Sequence, residues 1–328
     1  MSQLRALRAA LYDFEPEAVR TALNAAFADD ALIHMCHPFG DMTGGAAFYD
    51  SCLAPLAQAL PDLERRDYIV LEGTTDAGAH WIGCGGFYTG AFLHPFLGIP
   101  PTGQQAHMRF HEFYRLEAGK VTQMQAIWDI PELMMQARAW PMAPSLGREW
   151  LTPAPATQDG LGPHDPSQSA ASLKRVTDML ADLVRHPSQG GPEVMNPDQH
   201  WHPKMSWYGP AGIGTGRGFD GFRHMHQIPF LSAMPDRGQH DDTLTFHFFA
   251  EGNYAAVTGW PNMRQTITGD GWMGIAPAGQ QVEMRSLDFW RVENGLIREN
   301  WVLVDLLDIY RQIGVDVLAR MEQLPHAR

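Results

Sequence analysis

Asp305 is the residue whose type and position best suit proton transfer. It follows the strand-like run Leu296–Val304 and precedes a helical run, residues 306–313. An acid that leaves a sheet beside an apolar segment has restricted hydration, which raises its pKa and suits it to proton transfer. An aspartate at a strand-to-helix junction also caps a helix well, and the two roles are compatible.

Aromatic and histidine side chains are the candidates to surround this acid. Side chains two and four residues apart in a strand share a face, so Trp301 is predicted on the side of Asp305. The dense run at residues 205–230 adds an aromatic group that we expect to be part core and part pocket lining: Trp207, Tyr208, Phe219 and Phe222. His226 of the same run is expected to help shape the site. The glycine-rich stretch 208–218 lacks the Gly-Lys-Ser/Thr ending of a phosphate loop and is predicted to be a loop at the pocket mouth.

A metal site is the alternative for the histidines. His224 and His226 form a His-x-His pair that could bind a metal with Asp288 or Asp305. On the helix predicted over residues 219–232, however, positions i and i+2 point to different faces. A pocket-lining or surface histidine is therefore the prediction, and no metal is expected. No nucleophilic triad and no dinucleotide motif is recognised, so no cofactor is expected.

The elements around these residues occur twice. Residues 98–136 align with 274–312 at a constant shift of 176, and a second block aligns at a shift of 174. The first block includes the pairs Asp129/Asp305 and Gly119/Gly295. Two ordered blocks with nearly equal shifts indicate a tandem duplication.

Each repeat reads as two helices followed by antiparallel strands. The last two strands of the second repeat flank Asn294-Gly295, which is a strong hairpin signal because both residues tolerate positive φ. Helices over one face of a curved sheet make an α+β unit that encloses a pocket. The predicted domains are residues 1–140 and 169–328, joined by a proline-rich linker over residues 141–168.

Composition limits the partners. The net charge of −13 argues against nucleic-acid and anionic-membrane partners. No apolar run approaches the length of a membrane span, and the N-terminus does not resemble a signal peptide. Three cysteines without metal-type spacing are typical of buried thiols in a reducing compartment, so a cytoplasmic location is expected.

Several motifs together resemble the SnoaL-like polyketide cyclases of the nuclear-transport-factor-2-like superfamily. They are GIPPTG at residues 98–103, GIAPAG at 274–279, the two hairpins, and Trp-x-x-x-Asp followed by Arg-Gln-Ile-Gly at 301–314. The resemblance covers both repeats and implies two tandem cone-shaped α+β barrel domains. Because relatives dimerise through their sheets, it also implies an internal pseudo-dimer, and a homodimer is possible.

The resemblance also implies roles for particular acids. In the family, the aspartate at the position of Asp305 is the proposed general acid–base of an aldol closure, and by repetition this extends to Asp129. The related ketosteroid isomerases carry a carboxylic acid in the strand of Asp288, where it hydrogen-bonds an enolate; Glu112 stands there in the first repeat. The first repeat lacks the tryptophan before its aspartate, so the second is predicted to be active and the first degenerate.

The predicted function is cofactor-independent acid–base catalysis on a hydrophobic small molecule that carries a carbonyl group, of the polyketide cyclase or isomerase type. Two alternatives remain open at this point. One is a hydrolase that activates water in the same pocket, and the other is a non-catalytic small-molecule binding module.

Overall fold

The structure is a computed structural model that describes residues 4–238, 241–270, 272–276 and 279–323. Pro277 and Ala278 of the predicted GIAPAG turn lie outside these residues. Contacts divide the chain into two compact units, Met1–Pro141 with Asp305–Arg328 as unit 1 and Met142–Val304 as unit 2.

Unit 1 contains the first repeat. Its helices are α1 (Arg5–Tyr12), α2 (Pro16–Ala26), α3 (Gly44–Phe48), α4 (Ala54–Ala59) and α5 (Ile130–Gln136). Its strands are β1 (Phe27–Met35), β2 (Gly40–Thr43), β3 (Glu64–Thr74), β4 (His80–Ala91), β5 (Gln105–Glu117) and β6 (Lys120–Trp128). They form one sheet in the order β2-β1-β6-β5-β4-β3, in which only β1 and β6 pair in parallel.

Unit 2 repeats this order of strands. Its helices are α6 (Ser169–Leu183), α7 (Pro197–His200), α8 (Gly218–Phe222) and α9 (Ile228–Ala233). Its strands are β7 (Trp201–Tyr208), β8 (Thr215–Arg217), β9 (His247–Glu251), β10 (Tyr254–Thr258), β11 (Met263–Ile267), β12 (Gln280–Met284), β13 (Ser286–Glu293) and β14 (Leu296–Val304). The main sheet has the order β8-β7-β14-β13-β10-β9, and β11 pairs with β12 separately. The predicted α+β architecture with two tandem cone domains is confirmed.

Local backbone preferences explain the paired hairpins. Asn294 and Gly295 both have positive φ (51° and 77°), and Ala118 and Gly119 match them in the first repeat (49° and 81°). This two-residue turn follows the right-handed twist of its strands, so it fixes their register. β13 and β14 pair from Glu293 with Leu296 to Ser286 with Val304, and the predicted hairpin is confirmed.

The compact units differ from the predicted domains at two segments. The C-terminal segment, with α10 (Leu306–Gln312) and α11 (Val317–Glu322), belongs to unit 1, where the ring of Tyr310 packs against Trp140. The proline-rich segment belongs to unit 2, where the Gly147 amide donates to the Ile213 carbonyl at 2.7 Å. Repetition in sequence reveals where a unit recurs, but not which body its flanking segments pack against.

Among the described residues, no helix combines the length and the apolar character that crossing a membrane requires.

Candidate active site

Unit 2 encloses a cavity of about 140 Å³ between its sheet and its helices. Three neighbouring pairs from β13 and β14 line its sheet side: Ser286 with Val304, Asp288 with Val302, and Trp290 with Asn300. These positions alternate along each strand because successive side chains point to opposite faces. The cavity therefore lies on one defined face of the β13–β14 hairpin.

The wall of the cavity is mainly aromatic and aliphatic. Its other large aromatic side chains are Trp201, Trp207, Phe222, Phe230 and Trp272. Aliphatic and thioether groups complete it, namely Met179, Leu180, Leu183, Ile213, Met263 and Met284. The lining residues with an ionisable group are Asp288, His226 and Arg237. A few polar groups in an apolar wall is the usual composition of a small-molecule site.

Asp288 supplies the carboxyl group of the cavity. Burial disfavours its charged form and raises its pKa to about 7, while a hydrogen bond from Ser286 Oγ at 2.5 Å acts in the opposite direction. A carboxyl group with this pKa exchanges its proton readily near neutral pH.

A break in the sheet positions Ser286. In unit 1 the strands β4 and β5 are continuous, whereas in unit 2 the corresponding strands are interrupted between β10 and β11 and between β12 and β13. Asn262 spans the interruption: its side-chain amide donates to the Ser286 carbonyl at 2.7 Å and accepts from the Ser286 amide at 2.9 Å. This pairing fixes the residue whose hydroxyl reaches Asp288.

His226 enters the cavity from a π-helical turn between α8 and α9. This turn, Arg223–Gln227, lies at a shift of 174 from a matching π-helical turn, Tyr49–Leu53, in unit 1. The imidazole of His226 stacks on Trp207 with ring centroids 4.5 Å apart and an interplanar angle of 14°. Burial, assisted by the charge of Arg237, lowers its pKa to about 3, so the ring is neutral at physiological pH.

Arg237 is the cation of the cavity. The turn that carries it is fixed by Asp236, whose carboxylate accepts from the Thr266 amide, and by Gly238, which adopts a φ of 81°. Within the part of the chain that the structure describes, Arg237 makes no hydrogen bond and no ion pair. Burial lowers its pKa to about 10, so its guanidinium is still charged at neutral pH.

Two predicted pocket residues lie on the opposite face of the sheet. Trp301 donates its indole N–H to the Pro153 carbonyl at 3.1 Å, and the Tyr208 hydroxyl donates to Glu299 Oε1 at 3.2 Å. Trp301 and Tyr208 are therefore not among the residues that line this cavity. The predicted alternation along β14 is correct, but Asn300, Val302 and Val304 face the cavity. The proline-rich segment covers the other face.

Asp305 belongs to unit 1 and caps a helix there. Its Oδ1 accepts from the Asp308 amide at 3.2 Å, which caps α10, and its Oδ2 accepts from the His37 amide at 3.0 Å. The cavity described above is lined by unit 2 residues alone. The structure therefore places Asp305 and Asp288 in different compact units.

The acids of the first repeat are held in ion pairs. Glu112 is fully buried and accepts from Arg65, from the Tyr88 and Tyr114 hydroxyls at 3.0 and 2.5 Å, and from the Trp128 indole at 2.9 Å. These four donors occupy both carboxylate oxygens of Glu112.

Asp129 is likewise paired. Its Oδ2 accepts from Arg109 Nη2 at 2.6 Å, and both side chains are buried. Asp129 precedes α5 as Asp305 precedes α10. The aligned aspartates of the two repeats thus each stand at the start of a helix.

No group of three histidine, cysteine or acidic side chains that could hold a metal ion occurs among the described residues. His224 is exposed and contacts the Asp220 carbonyl through Nδ1 at 2.7 Å, and it is not among the cavity-lining residues.

Of the predicted site residues, the cavity brings together Asp288, His226, Trp207 and Phe222. Arg237, Ser286 and Trp290 were not predicted. The internal repeat carries a signal for Arg237, because the shift of 174 that aligns Pro61-Asp62 with Pro235-Asp236 places Arg237 opposite Leu63. The alignment therefore pairs a charged residue of the second repeat with a buried leucine of the first.

The comparisons with known proteins give one family and several similar solved structures. The family model described as SnoaL-like polyketide cyclase matches residues 5–137 and 193–313. AclR from Streptomyces galilaeus shares 16% identity, with 44% of this chain and 83% of that chain covered and a TM-score of 0.36. IdmH from Streptomyces antibioticus shares 18% identity, with coverages of 41% and 95% and a TM-score of 0.35.

A SnoaL-like protein from Jannaschia sp. CCS1 shares 23% identity, with 41% of this chain and 90% of that chain covered and a TM-score of 0.34. Each of these solved structures thus covers less than half of this chain. No curated protein matches the chain.

Proposed function

Because the chain belongs to the SnoaL-like polyketide cyclase family, we propose that unit 2 is a cofactor-independent acid–base enzyme of the cyclase or isomerase type. Its substrate is a small molecule that carries a carbonyl group. The first repeat has a structural role in this proposal, since Glu112 is held in a closed set of hydrogen bonds.

The observation that carries the proposal is the setting of Asp288. Its carboxyl group faces an aromatic cavity, its one hydrogen-bond partner among the described residues is Ser286, and its pKa is about 7. General acid–base catalysis is most efficient when the pKa of the catalytic group lies near the working pH. Asp288 can therefore accept and return a proton in one cycle.

The proposed chemistry needs one carboxyl group. Ionised Asp288 removes a proton from the carbon next to a carbonyl group, which leaves an enolate. In an isomerase, the protonated Asp288 returns the proton to a different carbon. In a cyclase, the enolate carbon attacks a second carbonyl group of the same molecule, a carbon–carbon bond forms, and Asp288 gives its proton to the new alkoxide.

The size of the cavity limits the reacting part of the substrate. An apolar cavity of about 150 Å³ accommodates benzene, and this cavity has a volume of about 140 Å³. The portion of the substrate beside Asp288 is therefore roughly one ring. A larger substrate would have to extend out of the cavity.

The test is deuterium uptake at the activated C–H of a panel of single-ring and acyclic β-diketones. We expect exchange above the buffer rate for the wild type and a loss of about 10²- to 10⁴-fold in Asp288→Asn. Asparagine has the shape of the aspartic acid and keeps an acceptor for Ser286, so circular dichroism should be unchanged. Asp305→Asn is the matched control, and it should retain exchange because asparagine also caps helices.

Three results would contradict the proposal. Exchange that is lost in Asp305→Asn and kept in Asp288→Asn would move the chemistry to Asp305. Hydrolysis of ester analogues of the panel without any exchange would favour the water-activating hydrolase. Exchange that never exceeds the buffer rate would favour a binding module, which the small aromatic cavity also suits.

A further inference from the structure

The cavity contains a charge that nothing else in the described chain neutralises. Arg237 lines the cavity and has neither an ion-pair partner nor a hydrogen-bond acceptor among the described residues. Arg237 is partly exposed, but its charge adjoins an apolar cavity, where a charge without a partner is costly and is normally paired. Unit 1 shows the normal case, where the buried Arg65 is paired with Asp67 and Glu112.

Arg237 is not required by the fold. At the shift that aligns Pro61-Asp62 with Pro235-Asp236, the first repeat has Leu63, which is 4% exposed. The same fold therefore accommodates a leucine at this place. The well-anchored turn around Arg237, with Asp236 bound to the Thr266 amide, holds the guanidinium at the cavity.

Arg237 and Asp288 are separate groups within the cavity. They form no ion pair with each other, and neither contributes to the pKa of the other. The charge that influences His226, in contrast, is that of Arg237. The cavity lining thus contains a cation, a neutral imidazole and a carboxyl group.

We propose that Arg237 binds a carboxylate of the substrate, so that the substrate class is a carbonyl compound of about one ring with a carboxylate group. The guanidinium presents a planar fork of donors that matches the two oxygens of a carboxylate. Binding would supply the missing counter-charge and hold the activated C–H toward Asp288. The inference rests on the proposed function, because it assigns the substrate of the same cavity.

The experiment compares benzoate with benzamide, which has the same shape without the charge. Four tryptophans line the cavity, so binding is followed by tryptophan fluorescence and confirmed by calorimetry: Trp201, Trp207, Trp272 and Trp290. Hydrogen bonds between charged groups are the strong ones, so we expect benzoate to bind the wild type at least about tenfold more tightly.

Variants of Arg237 test whether this residue causes the preference for benzoate over benzamide. Arg237→Leu takes the residue that the first repeat uses, so it should fold, bind benzamide and lose the preference for benzoate. Arg237→Lys keeps the charge without the fork and should retain part of it. Arg185→Leu is the matched control, because Arg185 is 47% exposed and pairs with Asp182 outside the cavity lining; it should keep the full preference.

The proposal is overturned if wild type binds benzamide as tightly as benzoate, if it binds no benzoate at about 10 mM, or if Arg237→Leu retains the preference. This outcome is distinguishable from failure of the proposed function. If the protein prefers benzoate but shows no deuterium exchange, the carboxylate site is supported and the proposed reaction is contradicted. If the protein shows deuterium exchange but no preference for benzoate, the proposed reaction is supported and the carboxylate site is contradicted.

Discussion

Replacing Asp288 by asparagine should stabilise unit 2 in a way that depends on pH. The pKa of this carboxyl group is about 7 in the folded protein, against an ordinary value of 3.8. The folded state therefore binds the proton more tightly than the unfolded state. This tighter proton binding stabilises the folded state. The stabilisation is fully present below pH 3.8 and is lost as the pH rises through 7.

The magnitude follows from the same two values. One pKa unit corresponds to about 1.4 kcal/mol, so the ionised Asp288 costs the folded protein about 4 kcal/mol at pH 8. About 2.5 kcal/mol of this cost develops between pH 5 and pH 8. Water that enters the cavity reduces these figures, which are upper limits. Asparagine does not ionise, so Asp288→Asn should gain stability over the wild type across this interval.

Urea unfolding at pH 5, 6, 7 and 8 measures the difference. Because two compact units can unfold separately, the transition of unit 2 is followed by hydrogen exchange of β13 and β14. Asp220→Asn is the control, since Asp220 is exposed on α8 and is not among the cavity-lining residues. Wild-type and Asp288→Asn stabilities that run parallel from pH 5 to pH 8 would refute the raised pKa.

The remaining predictions concern the other charged groups. Asp305→Ala should lower the free energy of unfolding by about 1 kcal/mol because it removes the cap of α10, whereas Asp305→Asn should change it little; thermal unfolding measures both. Arg65→Met should destabilise unit 1 by about 3–5 kcal/mol, because Glu112 would be left as an unpaired buried charge, and an equal stability of Arg65→Met and wild type in urea would contradict this. The rate of deuterium exchange should rise with pH and level off above about 7, since only the ionised Asp288 removes a proton; a rate that falls over pH 5–8 would exclude it as the base.

Local preferences explain the part of the fold that could be read from the chain. Asn294 and Gly295 tolerate positive φ, which fixes the turn and the register of β13 with β14. The constant shifts between the repeats revealed the duplication, and with it the second sheet. Alternation along a strand also follows from covalent geometry, so the division of β14 into two faces was predictable.

Which face of that sheet encloses the cavity was decided by tertiary packing. The proline-rich segment carries no regular pattern, yet its Pro153 carbonyl accepts from Trp301 and its Ala156 amide donates to Glu299. These contacts cover one face and leave Asp288 facing the cavity on the other. Neighbouring residues in sequence cannot reveal which distant segment will cover a sheet.

Tertiary packing also determined which carboxyl group of the two repeats is ion-paired. Asp288 and Glu112 stand at equivalent positions, and the sequence alone makes them alike. Arg65 reaches Glu112 through the fold and neutralises it, whereas the described neighbours of Asp288 include no cation within ion-pair distance. The sequence determined which residue types each repeat carries, and the tertiary structure determined which of them remain unpaired, because pairing depends on distances that only packing sets.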